Sequence, residues 1–552
     1  DADAPGAGSE GASFCSEALA GVAAFTSAAR QGQPVPDDER YGGTAVVGHH
    51  AELTSGMNAA VASDYGSTQY QTFANLMTLV RYDEDLEPEP YLARSWEVNQ
   101  DTTQITFHLR DDVFWHDGVR TDAYDVAFTY GLVNDPQTGF PNPAYFDLYG
   151  SGADGMRVVD DLTLTVGLHP HADFMDPWRA LAILPEHLLG DVPPADIGAH
   201  PYGSQCPVGN GPFVFVEHRP QDRWVFEANP TFPDELGGRP YLDRLIQRIV
   251  PEQTTLLTEL LTGGVDVFIG TRPDQAEQIL AAGGDVRHFP HREIVYIAWN
   301  SRRPQLSDSR VRTALTMATN RRELVDATLL GFGVVANSTV PPFHWAYDPD
   351  VIPDVPYDPV AAGRLLDEAG WTDDDGDGVR EDAEGTPLAI SLKYNTGNRL
   401  RQDIAEIMQA QLAEVGVDLR PTVVETAALS AQVLDPEVRD FDGVVFGWFT
   451  DFRMDDRDLL HSDRLDGMFA LAGTRNPDLD RLLDTLQVAV DPASAKPLWD
   501  EYQRLQVREH PYTLLFFPER VAAVSPRLQG VIMDVRGEWV SVRDWWIDPS
   551  QR

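Results

Sequence analysis

The sequence predicts a mixed α/β fold in which strands and helices alternate over most of the chain, and three stretches carry that prediction. Gln104 to Arg110 places Ile105, Phe107 and Leu109 on one face and Thr106, His108 and Arg110 on the other, the period of a half-buried strand. Leu245 to Val250, Thr254 to Thr262 and Val265 to Ile269 read as strand, helix and strand, a β-α-β unit. Ile404, Ile407, Met408, Leu412 and Val415 recur at helical spacing, stop at Gly416 and feed a strand from Val417 to Val424.

Along the chain, the opening segment Asp1 to Gly11 is small and polar, so residues 1–36 are expected to form a flexible tether whose first dozen residues are disordered. After the strand at 104–110, Leu162, Leu164 and Val166 repeat the alternation. The helix at 254–262 gathers Leu256, Leu257, Leu260 and Leu261 on one side and ends at Gly263 and Gly264, as a C′ glycine requires. Asp358 and Pro359 supply an N-cap and a first-turn proline for a helix that runs through Leu365 and Leu366 and stops at Gly370. Proline and glycine punctuate 193–212 and 340–359, which read as connections. No internal repeat is present, which excludes solenoids and propellers.

Composition narrows the function. The 552 residues include 42% hydrophobic ones and twelve Trp, enough for sizeable cores. A formal charge of -45 repels phosphate backbones and anionic membrane surfaces, so nucleic acid is not an expected partner. No stretch reads as the roughly 20 consecutive apolar residues that a membrane-spanning helix needs. Cys15 and Cys206 exclude a cysteine metal cluster and a CxxC motif; they are compatible with one disulfide closing a long loop or with two free thiols. Enzyme signatures are missing as well. Neither lysine, Lys393 or Lys496, follows a glycine as a P-loop demands, no histidine pair has HExxH spacing, and no serine sits in GxSxG. The chain is therefore expected not to be an enzyme, a hydrolase built from dispersed carboxylates being the minor alternative.

Several ordered blocks then converge. Glu89 to Val98 and Ile105 to Arg110 lead into Asp112-Val113-Phe114-Trp115-His116-Asp117-Gly118 and Thr121 to Val126. Ile183 to Leu188, Pro207 to Phe213, Ala228 to Pro230, Gly238 to Asp243, Gly263 to Val267, Tyr296 to Asn300, Asp308 to Leu315 and Tyr357 to Trp371 follow. Together they resemble the dipeptide, oligopeptide and nickel family of extracytoplasmic solute-binding proteins, family 5 or cluster C, over roughly residues 40 to 550. The resemblance implies a two-lobed α/β binding protein of type II, with an extra subdomain in lobe I and crossover hinge segments. Lobe I is expected at 37–305 with the subdomain near 81–204, lobe II at 306–514, and a return to lobe I at 515–552. It further implies an exported monomer, periplasmic or on the outer face of the cytoplasmic membrane, that hands a small peptide or similar solute to an ABC permease and requires no cofactor.

The same resemblance points to ligand residues. Phe446-Gly447-Trp448-Phe449-Thr450-Asp451 is similar to a segment whose carboxylate pairs with a peptide's α-ammonium, which assigns that role to Asp451 and an aromatic wall to Trp448. Ala62 to Ser67 is similar to a cleft-lining loop, adding Asp64 and Tyr65. Phe452-Arg453-Met454 departs from the family's glycine, proline and aspartate run, so an oligosaccharide or a metal chelate stays open beside a peptide. Separately, Asp373, Asp375, Asp377, Gly378, Glu381 and Glu384 fit the spacing of a calcium-clasping loop, although the strand that follows at Pro387 to Tyr394 rules out a true EF-hand; a structural calcium ion and a polar hairpin insertion that holds no metal are the two readings.

Overall fold

A computed structural model of the protein describes residues 7–32, 35–62, 64–141, 155–169, 171–353, 355–450 and 452–552. The chain divides into two compact units. Unit 1 comprises residues 1–170, 174–289 and 521–552; unit 2 comprises 171–173 and 290–520. Those divisions fall at 289/290 and 520/521, whereas the sequence placed them at 305/306 and 514/515. The difference has a physical source: the strand Glu293–Trp299 pairs along its whole length with Gly443–Phe449, a partner about 150 residues away that no local pattern reveals.

In unit 1 the sheet order is Val267–Ile269, Thr44–His49, Arg244–Ile249, Arg223–Ala228 and Phe213–Arg219. Thr44–His49 runs parallel to both of its neighbours, so the β-α-β unit is present but its two strands flank a third that comes from the N-terminal side. The residues Ala522 to Val524 close the other side of Val267–Ile269 in antiparallel register. The crossover helix Gln253–Thr262 ends on Gly263 at φ +79°, in the left-handed region where glycine meets no steric penalty.

A separate four-stranded antiparallel sheet orders Ala93–Val98, Gln104–Leu109, Thr163–Gly167 and Met156–Asp160. Ile105, Phe107 and Leu109 point into its core as their alternation requires. The motif around residue 115 is packing made specific. Trp115 Nε1 donates to Asp125 Oδ2 at 2.9 Å, and Asp125 also accepts the N–H groups of Asp122 and Glu186. His116 donates its ring N–H to the Gly211 carbonyl at 3.0 Å and its backbone N–H to that of Gly209 at 2.7 Å. A Cβ on Gly209 would lie 1.9 Å from the Asn75 carbonyl oxygen, so only glycine lets these two backbones meet.

The N-terminal tether is corrected over residues 7–32, while residues 1–6, half of the stretch expected to be disordered, and 33–34 lie outside the described residues. Ala7–Gly32 forms one α-helix, covalently fixed to unit 1 by a Cys15–Cys206 disulfide. Alanine has the highest helix propensity, and Phe14, Ala18, Val22 and Phe25 recur at spacings of three and four, which the polar opening residues had masked. Ala18 and Val22 are buried in the core; Phe25 meets Phe114, and Arg30 pairs with Glu227 at 2.7 Å. Gly21 and Gly118 admit the close approach: a Cβ on Gly118 would come within 2.7 Å of the Phe25 ring. The expectation about membrane-spanning length is corrected too, because Gly11–Gly32 is long and apolar enough by composition. Helices of soluble cores and signal sequences share that property.

Unit 2 contains a sheet in the order Asp418–Val424, Ala389–Asn395, Gly443–Phe449, Glu293–Trp299 and the first part of Tyr512–Val524, on which Gly333–Val335 also pairs. The first three strands are mutually parallel, joined by the helices Arg399–Ala413 and Thr426–Val433. Both faces are covered. Val295, Ile297 and Trp299 pack on one side with Ile404, Met408 and Leu412, while Ile294, Tyr296 and Ala298 pack on the other with Leu483, Trp499 and Tyr502. The helix Pro359–Glu368 starts where the sequence placed it, with Asp358 accepting the Ala361 N–H at 2.8 Å.

Candidate functional site

In sheets containing parallel strands, ligands collect at the carboxyl ends, because crossover helices begin there and leave backbone and side chains unpaired. In unit 2 that edge is formed by Asn395, Val424 and Phe449, and the antiparallel partner contributes Glu293, opposite Phe449. The predicted aromatic segment lies on this edge. Trp448 is half-buried, sits opposite Ile294, and sets its ring edge-on to Phe469 at 4.9 Å between centroids. Phe449 is 60% exposed and meets the His291 ring at 5.3 Å. Thr450 is buried and donates both its N–H, at 2.6 Å, and its hydroxyl, at 3.0 Å, to the Arg292 carbonyl, which pins the end of the strand. Asp451 lies outside the described residues.

Phe446 and Arg401 complete the edge. Gly447 stands beside Glu293, whose Oε1 would be 2.7 Å from a Cβ at that position. The Arg401 guanidinium lies over Phe446, 5.2 Å from the ring centroid, and donates to Asn395 Oδ1 at 3.0 Å. Burial lowers the pKa of Arg401, against the opposing influence of Glu293 and Tyr296. Periodicity had marked this helix without marking Arg401, since an arginine in a first helical turn is unremarkable until its surroundings are known.

In unit 1, Asp64 caps the helix Tyr65–Tyr70. Its carboxylate accepts the Ser67 N–H at 2.8 Å, the Thr54 hydroxyl at 2.8 Å and the Ser55 N–H at 3.0 Å. Burial opposes its ionisation, but these donors outweigh burial and hold the carboxyl below its usual range. The Tyr65 hydroxyl donates to Glu538 Oε2 at 2.9 Å, and Glu538 is itself buried. Both side chains are thus tied into unit 1 by their own hydrogen bonds.

Of the five candidate metal ligands, Asp373, Asp375, Asp377 and Glu381 bring carboxylate oxygens within 4.8 Å of one another. Glu384 is not in that group. Glu381 pairs with both Thr372 and Pro387, so the chain has already reversed, and Glu384 falls on the Asp382–Thr386 turn instead of in a twelfth-position clasp. An all-oxygen donor set suits a hard cation. Asp373 meanwhile accepts the N–H groups of Gly376 and Gly378, and burial together with the charges of Asp375, Asp377 and Asp373 pushes the Glu381 carboxyl up.

Comparison with known proteins agrees with this architecture. A model of the bacterial extracellular solute-binding proteins, family 5 middle, matches residues 87–466. The chain is 29% identical over 533 residues to the oligopeptide-binding protein AppA of Bacillus subtilis, covering 96% of each chain. It is 26% identical over 508 residues to heme-binding protein A of Haemophilus influenzae, covering 86% of this chain and 87% of that one. The solved structure of Bacillus subtilis AppA in complex with a nonapeptide is similar at a TM-score of 0.74 and 28% identity, covering 92% of this chain and 99% of that one. The substrate-binding protein CtaP of Listeria monocytogenes shares the fold at a TM-score of 0.80 and 22% identity, with 92% and 99% covered.

Proposed function

The chain belongs to the family 5 bacterial extracellular solute-binding proteins, and from that membership we propose that it captures peptides outside the cytoplasm and delivers them to an ABC permease, without catalysing a reaction. The observation that carries the peptide reading is the aromatic strand end Phe446–Phe449 at the carboxyl edge of the unit 2 sheet, anchored through Thr450 directly before Asp451. It is supported by the likeness to an oligopeptide-binding relative along almost the whole chain. In this reading Asp451 accepts the α-ammonium of the peptide and Trp448 walls the same end, so that charge pairing, hydrogen bonds and apolar contact act together. Asp64 and Tyr65 act by shaping a unit 1 loop, since their polar atoms are already engaged by the protein. We assign the Asp373–Glu381 loop a structural calcium ion.

The test is thermal unfolding of the purified protein against peptides, oligosaccharides and metal chelates, with Asp451→Ala and Trp448→Ala in parallel. A ligand at 100 times its Kd adds about 2.7 kcal/mol to stability. The proposal expects a rise with peptides that Asp451→Ala abolishes and Trp448→Ala weakens. A rise with sugars or chelates alone would replace the peptide reading, and a peptide response that survives Asp451→Ala would remove Asp451 from the site.

A further inference from the structure

Where the N-terminal helix meets the body of unit 1, Phe25 and Phe114 stand with their ring centroids 6.4 Å apart. Both line a cavity of about 670 Å³ that the segment 230–239 also walls, and every residue lining it belongs to unit 1. That volume lies within the range of small-molecule sites. Phe232, itself buried, adds a third phenyl ring to the lining. Three of the four charged residues around the cavity are acids: Asp112, Asp234 and Glu235.

The protein does not neutralise these acids. Buried Arg110 donates to both oxygens of Asp112, at 2.8 Å each, and also to Glu235 Oε2 at 2.9 Å, so one guanidinium serves two carboxylates and fixes their positions. Asp234 has no side-chain hydrogen bond or ion pair among the described residues. Arg239, the remaining charged residue of the lining, is engaged elsewhere: it donates to Asp243 Oδ1 at 2.6 Å and to the Pro240 carbonyl at 2.8 Å, with its guanidinium over the Tyr41 ring. The cavity thus sets uncancelled negative charge beside phenyl rings. An anion would be repelled there, and a neutral apolar molecule would displace water from the carboxylates without replacing its hydrogen bonds. A bare metal ion needs several oxygens converging on one point; among the described residues the carboxylates that do so are those of the Asp373–Glu381 loop, not these. Ammonium groups joined by methylenes fit both features, the charge meeting the carboxylates and the spacers and cationic ends lying on the rings.

We infer that this unit 1 cavity binds a small organic cation with two or more ammonium groups on an aliphatic chain, a polyamine, as a second ligand distinct from the transported solute. One ammonium pairs with Asp234, another with the Asp112 and Glu235 carboxylates that Arg110 positions, and the methylenes between them pack on Phe25 and Phe114. The inference does not depend on the peptide reading. A cation seated there joins the end of the N-terminal helix, through Phe25, to the segment 230–239.

The experiment is isothermal titration calorimetry of the whole chain with spermidine and with n-butylamine, at one fixed ionic strength. Wild type is expected to bind spermidine saturably and at least about tenfold more tightly than n-butylamine, which offers a single ammonium. Asp234→Asn/Glu235→Gln should weaken spermidine about tenfold, as the loss of two ion pairs at the rim would. Phe25→Leu, which keeps apolar volume but removes the ring face, should weaken it about threefold. Glu84→Gln/Asp85→Asn makes the same charge change at exposed acids outside the cavity and should leave the affinity unchanged. Equal weakening by the two double variants would show that spermidine answers only to the overall negative charge of the chain, and overturns the inference. So does spermidine binding untouched by Asp234→Asn/Glu235→Gln, which would place it elsewhere on the protein, and so does n-butylamine binding as tightly as spermidine or the absence of saturable binding. If circular dichroism shows Phe25→Leu unfolded, Phe114→Leu takes its place, and the comparison of the two double variants still decides.

Discussion

Replacing both Cys15 and Cys206 by serine tests whether the N-terminal helix is an integral part of unit 1. The disulfide spans a sequence separation of 191 residues, and loop-closure entropy for a ring of that size amounts to about 5 kcal/mol at 25 °C. Phe14, Ala18, Val22 and Phe25 keep the helix docked in the native state, so the bond restricts chiefly the unfolded chain. Spread over a unit of about 300 residues, at about 2.1 cal/mol/K each, the loss lowers the unfolding midpoint by about 8 °C. Differential scanning calorimetry with and without reductant measures it. Wild type in reductant should fall to the midpoint of the double variant, which reductant should leave unmoved. Equal midpoints for wild type and variant under oxidising conditions would refute the docked helix and restore the flexible tether.

Three other outcomes are expected. His116 is fully buried, burial drags its pKa to about 4, and an unfolded histidine titrates near 6.5; the unfolded chain therefore takes up the proton first, and stability falls as pH drops from about 6.5 to about 4. At pH 5 this amounts to about 2 kcal/mol, and His116→Gln should flatten that part of the urea-midpoint profile, although Asp125, raised to about 6 by burial, adds an opposing slope that the variant leaves in place. Calcium at millimolar concentration should raise the melting temperature of wild type and not of Asp375→Asn/Asp377→Asn; no shift in wild type would remove the metal assignment. Gly209→Ala drives a methyl group into the Asn75 carbonyl and should cost about 3 kcal/mol in urea unfolding; a change below about 0.5 kcal/mol would show that the two backbones can separate.

What could be read from the sequence followed from how local each signal is. The strand at 104–109 and the helix at 359–368 were legible because alternation, an Asp-Pro start and a glycine stop all lie within a few residues of one another. The N-terminal helix was missed because alanine and serine give little contrast between its faces; what fixes it is contact with residues 114–118 and 200–206, far away in sequence. Trp448 was singled out by a motif, and folding sets it on the strand-end edge, whereas Arg401 came into view only when folding put Phe446 and Asn395 around it. Glu384 had the right spacing for a clasp, but spacing takes no account of the reversal that starts at Glu381.

The position of Ala522–Val524 beside Val267–Ile269 bears on how the protein is made. A chain synthesised from its N-terminus presents the Val267–Ile269 edge, all three residues apolar, for as long as it takes to add some 250 further residues, and at 5 to 20 residues per second that is roughly 10 to 50 seconds. During that interval an open strand edge can recruit another chain. The fold of unit 1 therefore favours a chain that stays unfolded until its end is released, and a truncation before residue 522 should yield aggregates in place of a smaller soluble domain.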